Sequence, residues 1–269
     1  APNEYVIKIK GVETIKRSVM LNHYLAINPG KVAEVVDGVP TQEPVFNLPA
    51  MWITELQKKR AELSGYTVVD VPSIIATHLS EIIRGQEANI VSRQDVQSLI
   101  DNVKKEFPAV VDELIPNIMT IGEVQKVLQS LLAERISIRD LVTILETLAD
   151  NAKATKDIES LVSQVRIALS RQICRQLQGD DKTIAVVTLD PQIEQAVADA
   201  LRQQENRQQV MLALDPDLMR KIFNSLSTNL EKLVRMQRQP VVLVSPHIRS
   251  AFRKLTERSY PNLYVISYS

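Results

Sequence analysis

A single cysteine, Cys174, stands in the 269 residues, so the chain can close no internal disulfide and suits a reducing compartment. Within the helical run Val165 to Leu177, a buried and unreactive thiol is its simplest reading. Glycine is scarce as well: seven residues, too scattered to build a phosphate-cradling loop or a dinucleotide fingerprint. The three histidines, His23, His78 and His247, stand apart, with no HExxH pattern and no cysteine at ligand spacing, so each reads as a packed or capping side chain and no metal is expected. Aromatics make up 4%, which leaves few platforms for stacking bases. Lys plus Arg and Asp plus Glu number 32 each, so no net field draws nucleic acid or anionic lipid. The local arginines Arg166, Arg171, Arg175, Arg235, Arg238, Arg249, Arg253 and Arg258 read as solvated helix faces, and no nucleic acid is expected as a partner. Asp180-Asp181 reads as a polar turn. No set of residues assembles nucleophile, base and oxyanion donors, so the chain is expected to be neither an enzyme nor a cofactor carrier. No apolar run reaches the roughly 18 residues of a membrane span and no signal-peptide pattern opens the chain, so the expectation is a soluble cytoplasmic piece.

What is present is enough apolar content, 45%, to build cores, and a length that divides into two to four domains. The stretch Met51 to Arg84 organises the rest. Trp52, Ile53, Leu56, Ala61 and Leu63 among Lys58, Lys59, Arg60 and Glu62 predict an amphipathic helix stopped by Gly65. Tyr66 to Asp70 predicts a strand, and Asp70-Val71-Pro72-Ser73 a turn capping a helix that buries Ile74, Ile75, Leu79, Ile82 and Ile83. Such a unit, between a β-rich segment and a long helical one, favours a cleft.

Upstream, Tyr5 to Lys10 predicts a strand needing a partner, with Tyr24 to Ile27 and Tyr66 to Asp70 as candidates. Lys31 to Pro49 predicts loops and brief strands. Downstream, Ser92 to Gln178 predicts helices throughout, with capping boxes at Ser92-x-x-Asp95, Thr120-x-x-Glu123 and Ser137-x-x-Asp140. The apolar faces of Val124 to Leu132 and Leu141 to Leu148 suggest an antiparallel hairpin, and Leu161 to Leu177 a last helix. After Gly179 come a strand at Ile184 to Leu189, helices opening at Asp190-Pro191 and Asp215-Pro216, a strand at Val241 to Val244, a helix capped by Ser245-Pro246, and a strand at Leu263 to Ser267. Strand, helix, strand with right-handed crossovers implies a mainly parallel sheet. The fold class expected is therefore α+β multidomain: a small α+β domain inserted near the N-terminus, a central all-α domain and a C-terminal α/β domain.

Several runs resemble the cytoplasmic region of the flagellar type III export gate family, the FHIPEP family, which also includes virulence type III secretion gates. They are Leu25-Ala-Ile-Asn-Pro-Gly30, Gly65-Tyr-Thr-Val-Val-Asp70, Ile75-Ala-Thr-His-Leu79, Arg93-Gln-Asp-Val-Gln97 and, most specific, VLQSLLAERISIRDLVTILETLA from Val127 to Ala149. The resemblance implies four subdomains: an incomplete first α/β subdomain at 1–21 and 71–90, an inserted α+β subdomain at 22–70, an all-α subdomain at 91–178 and an α/β subdomain at 179–269. It also implies a piece of a larger bacterial inner-membrane protein that docks export chaperone–substrate complexes and delivers them to the membrane channel. The partners it implies are those complexes, the soluble export ATPase complex, other export gate membrane proteins and, in a nonameric ring, its own copies. The family's docking dimple maps onto Glu43, Pro44, Phe46 and Thr77. Glu43 stands where flagellar members usually carry Asp, Asn47 where they carry Gly, and Ile90-Val91-Ser92 where they carry a Leu-Gly pairing. A virulence secretion gate with the same role, or a purely structural ring element, are the alternatives.

Overall fold

Lys10 and Gly11 take positive φ, 49° and 82°, the combination a tight hairpin turn requires. Strand β1 (Glu4–Ile9) therefore pairs antiparallel with its immediate successor β2 (Val12–Ser18), not with Tyr24 to Ile27 or Tyr66 to Asp70. The computed structural model describes residues 3–30, 32–44, 48–207, 214–236 and 238–268, and the chain divides into two units, Ala1–Ile90 and Val91–Ser269.

In the first unit, β3 (Tyr24–Ile27), β4 (Val39–Gln42), β5 (Pro49–Ile53), α1 (Glu55–Leu63), β6 (Thr67–Asp70) and α2 (Val71–Ile90) follow the hairpin. The four strands form an antiparallel sheet ordered β4-β5-β3-β6. Side chains alternate across it. Leu25, Ala50 and Trp52 join Ile74 of α2 on one face, whereas Ala26, Ile53 and Tyr66 join Ala61 of α1 on the other. The predicted amphipathic helix over Met51 to Leu63 is thus corrected: its first residues are a central strand, because Trp52 and Ile53 each have a core to enter. What remains of the helix buries only Ala61, while Leu56 and Leu63 are 94% and 80% exposed.

The second unit opens with α3 (Arg93–Glu106), α4 (Pro108–Leu114), α5 (Ile121–Ala133), α6 (Leu141–Asn151), α7 (Ile158–Ala168) and α8 (Ser170–Leu177). The suggested hairpin of α5 on α6 is replaced by a different packing: α7 lies against both, with α5 also on α3 and α6 also on α4. Leu161, Val162 and Val165 of α7 supply the apolar face that each needs. Leu169 interrupts the expected single helix Leu161 to Leu177. Ser92 and Thr120 cap α3 and α5 in reciprocal boxes, whereas α6 is capped by Asp140 itself, which accepts from the Thr143 N–H at 3.2 Å, so Ser137 is no cap. Thr120 donates its N–H to Glu123 at 2.7 Å, and these bonds hold the Glu123 carboxyl below its ordinary 4.5. The carboxylate's contribution is complete above that value and fades as pH falls through the lower folded one. Thr120→Ala is accordingly expected to cost about 1 kcal/mol in urea unfolding at neutral pH and less under acid conditions.

The unit closes with β7 (Val187–Thr188), α9 (Pro191–Arg207), α10 (Pro216–Arg235), β8 (Val241–Val244), a 3-10 turn at Pro246–Ile248, α11 (Arg249–Thr256) and β9 (Tyr264–Ser267). The three strands are parallel, ordered β7-β8-β9. This α+β arrangement, with a parallel sheet toward the C-terminus, agrees with the fold class expected. Both sheet faces are covered. Val241, Tyr264 and Ile266 face the helical core, and Val242, Val244 and Val265 face α9, α10 and α11. Cys174 is exposed, contrary to the expectation of a buried thiol, because Ile173 and Leu177 take the inward face of α8. The reading of the arginines as solvated faces is corrected at three positions: Arg166, Arg249 and Arg253 are buried. The Ser245 hydroxyl turns to Glu194 and Tyr268 rather than capping the turn that follows it.

Candidate functional site

Glu43 immediately follows β4, and its N–H donates to the Leu48 carbonyl at 2.9 Å, closing the turn between β4 and β5. Opposite, Asp70 accepts from the Ser73 N–H at 2.9 Å and starts α2, which brings Ser73, Ile74 and Thr77 toward that turn. Between them lies an open notch of about 130 Å³, lined by Ile27, Glu43, Leu48, Val69, Ser73, Ile74 and Thr77. An apolar space of roughly that size holds a benzene-sized group, so one aromatic or large aliphatic side chain fits.

Of the four site residues expected from the sequence, the notch gathers two, Glu43 and Thr77. Pro44 is half-buried in the adjoining turn, and Phe46 lies outside the described residues. Glu43 is 6% exposed and belongs to the floor, not the rim. Thr77 is exposed at the edge, and among the described residues its hydroxyl bonds to none. Ile27, Val69 and Ile74 were not foreseen as site residues. The signal for Ile27 and Val69 was strand alternation, which sets both on the α2 face of the sheet; Ile74 was legible only as a core position.

Two further residues stand behind the floor. The Tyr5 hydroxyl and His78 Nδ1 are 2.5 Å apart, with the rings edge to face at 5.8 Å. His78 is 3% exposed. Burial lowers its pKa below 6.5, the Arg17 charge lowers it further, and the Glu43 carboxylate pulls the other way. Tyr5 is raised above 10, first by burial, with Glu43 adding and Arg17 opposing. Neutral imidazole and neutral phenol therefore face each other at pH 7, joined by one hydrogen bond between the hydroxyl and Nδ1. Among the described residues no group of His, Cys, Asp and Glu could hold a metal, and no helix is long and apolar enough to cross a membrane.

A profile of the FHIPEP family matches residues 1–269. The chain belongs to the FHIPEP family. It is 41% identical over 268 residues to the flagellar biosynthesis protein FlhA of Bacillus subtilis, which covers 100% of this chain and 39% of that protein. It therefore spans well under half the length of this FHIPEP relative. Among solved structures it resembles the Chlamydia pneumoniae CdsV protein, with a TM-score of 0.80 and 28% identity across 99% of this chain and 76% of that one. The nonameric SctV-C of EPEC shares the fold, at a TM-score of 0.74 and 22% identity over 99% of this chain and 79% of that one.

Proposed function

We propose that this chain is the cytoplasmic docking platform of a flagellar protein export gate, and that the notch between Glu43 and Thr77 reversibly receives export chaperone–substrate complexes on their way to a membrane channel. The observation that carries the reading is the notch itself: an apolar wall of Ile27, Val69 and Ile74 with one buried carboxylate on its floor, open at Thr77. An apolar side chain entering it contributes roughly 1.5–3 kcal/mol. Glu43 supplies an acceptor for an amide or cation carried beside that side chain, which adds selectivity more than affinity. A gate must release what it captures, so total binding near micromolar, about −8 kcal/mol, suits the task. No bond is made or broken in this scheme, and the chain works as a binding module rather than an enzyme. FlhA's name favours a flagellar gate; the resemblance to CdsV keeps a virulence secretion gate with the same docking role as the second reading. In the whole protein the platform would sit beneath the bacterial inner membrane with the export ATPase complex and other gate proteins as neighbours. The nonameric assembly of EPEC SctV-C supports a ring of nine copies here as well.

Thr77→Arg tests the notch. Thr77 is exposed on a helix and arginine is a good helix former, so the fold should persist while the long side chain occupies the opening. Calorimetric titration with a flagellar chaperone–substrate complex should show affinity about thirtyfold weaker, the 2 kcal/mol of a lost hot spot. Unchanged affinity with an unchanged circular dichroism spectrum would remove the notch from the binding surface.

A further inference from the structure

In the second unit, Glu134 at the end of α5, Val162 of α7, and Arg249 and Arg253 of α11 line a cavity of about 180 Å³. The Arg249 side chain is only 8% exposed, and its Nη1 donates to Glu134 at 2.7 Å. Among the described residues its Nε and Nη2 have no acceptor, and neither is sealed from solvent, so that edge opens on the cavity. Nε and Nη2 are the parallel donors with which a guanidinium grips an oxyanion side-on. Arg253, by contrast, is held by carbonyls: Nη1 donates to Leu263 at 2.9 Å and Nη2 to Ala133 at 3.2 Å. Carbonyls satisfy its donors without cancelling its charge. Burial holds Arg166 and Arg253 below the ordinary 12.5, and the Arg249 charge lowers both further. Three guanidinium groups thus share the one carboxylate of Glu134, an excess of two positive charges behind the cavity wall. The acids at the mouth offset that excess only weakly. Glu159 is taken by Lys254 and by the Ser250 hydroxyl, and Glu257 is exposed, where solvent screens it.

We propose that this cavity binds a small dianionic oxyanion of the phosphate class, gripped by Nε and Nη2 of Arg249, with the Arg166 and Arg253 charges behind it and Lys254 at the entrance. Cations in a poorly solvated place destabilise the fold unless they are paired, and a dianion supplies the two charges that Glu134 leaves unmatched. Size and chemistry narrow the ligand. A space of this volume holds a benzene-sized guest, so free phosphate enters whole, whereas a nucleotide could insert only its phosphate and leave sugar and base outside. Chloride lacks the paired oxygens that match the guanidinium edge, and a carboxylate has them with a single charge. Occupancy therefore tightens the junction of α5, α7 and α11. The site lies in the second unit and is independent of the docking role assigned to the notch.

Inorganic phosphate is the probe, added to the 269-residue chain at constant ionic strength with chloride as the balancing salt. In nitrogen-edited magnetic resonance spectra the Arg249 Nε–H signal and the Ser250 and Lys254 amides should move saturably, with a midpoint at about 1 mM or below, while amides of the first unit stay still. The melting temperature of the second unit should rise by about 3–6 °C for each tenfold of phosphate above that midpoint. Arg249→Lys keeps the charge and the reach to Glu134 but loses the paired donors, so the phosphate response should weaken at least about tenfold with the phosphate-free spectrum retained. Should that variant unfold, Lys254→Gln alters an exposed side chain at the entrance and should bind phosphate about threefold more weakly. Adenosine monophosphate distinguishes the source: binding equal to that of inorganic phosphate supports a site for phosphate groups carried by organic molecules, and weaker binding supports free phosphate. Shifts that grow without saturating, that chloride alone reproduces, or that persist unchanged in Arg249→Lys or, where that variant unfolds, in Lys254→Gln, overturn the proposal.

Discussion

Glu134→Ala is expected to destabilise the second unit by about 3–5 kcal/mol, the cost of removing one partner from a buried ion pair. One oxygen of this carboxylate accepts from Arg166 of α7 at 2.6 Å and from Arg249 of α11 at 2.7 Å. Arg166 also donates to the Val265 carbonyl of β9 at 3.0 Å, and Arg253 donates to Leu263 at 2.9 Å and to Ala133 at 3.2 Å. The end of α5, α7, α11 and β9 therefore meet at a cluster holding three guanidinium groups and one carboxylate. Desolvation pulls Arg166 down to about 10, with Arg249 and Arg253 adding to the shift and Glu134 opposing it. Deleting Glu134 strands the Arg166 and Arg249 guanidinium groups without their counter-charge in a poorly solvated place. Glu134→Gln keeps an acceptor and the shape but not the charge, and should fall between the parent chain and the alanine variant. Urea unfolding gives the magnitude, and amide exchange should place the loss in α7, α11 and β9 while the first unit keeps its protection. A change below about 1 kcal/mol would mean that water reaches these arginines and that the cluster is no staple.

That cluster also marks where sequence reading stops. Glu134, Arg166 and Arg249 are ordinary charged residues on helices, and nothing in local periodicity says that they converge across the fold. Patterns with a short period were legible: the capping boxes at Ser92 and Thr120, the proline starts of α9 and α10, and the apolar strand at Val241 to Val244. Failures came where tertiary packing overrode a local preference. Trp52 and Ile53 suit a helix face as well as a strand, and only the pairing of β5 between β3 and β4 decides the matter. In the same way, α5 and α6 each carry one apolar face, which does not name its partner, and α7 satisfies both. The notch was legible in part. Glu43 and Thr77 came from the family resemblance, whereas the placing of Glu43 on the floor and the Tyr5–His78 bond depend on how the hairpin meets α2.

The turn bearing Glu43 is set from a distance by a residue that touches nothing in the notch. Gly38 precedes β4 with no unusual φ, so its requirement is one of space. A Cβ there would lie 2.6 Å from the Trp52 carbonyl oxygen and 3.2 Å from both Ile53 Cγ2 and Met51 Cβ. The carbonyl is backbone of the central strand β5 and cannot swing aside. The next residue, Val39, already pairs with Trp52, and the Asp37 carbonyl just before Gly38 accepts from Gln57 Nε2 at 2.9 Å. Relief is left to β4, an edge strand free to move outward on one side. Gly38→Ala should therefore cost about 1–3 kcal/mol as overpacking does, measured by unfolding of the first unit. Because β4 runs from Val39 to Gln42 and Glu43 comes next, the same displacement carries the carboxylate with it. Docking of a chaperone–substrate complex should weaken although every residue lining the notch is unchanged. Combining Gly38→Ala with Thr77→Arg should then be less than additive in binding, since both spoil one notch, whereas full additivity would mean that β4 and α2 serve separate surfaces.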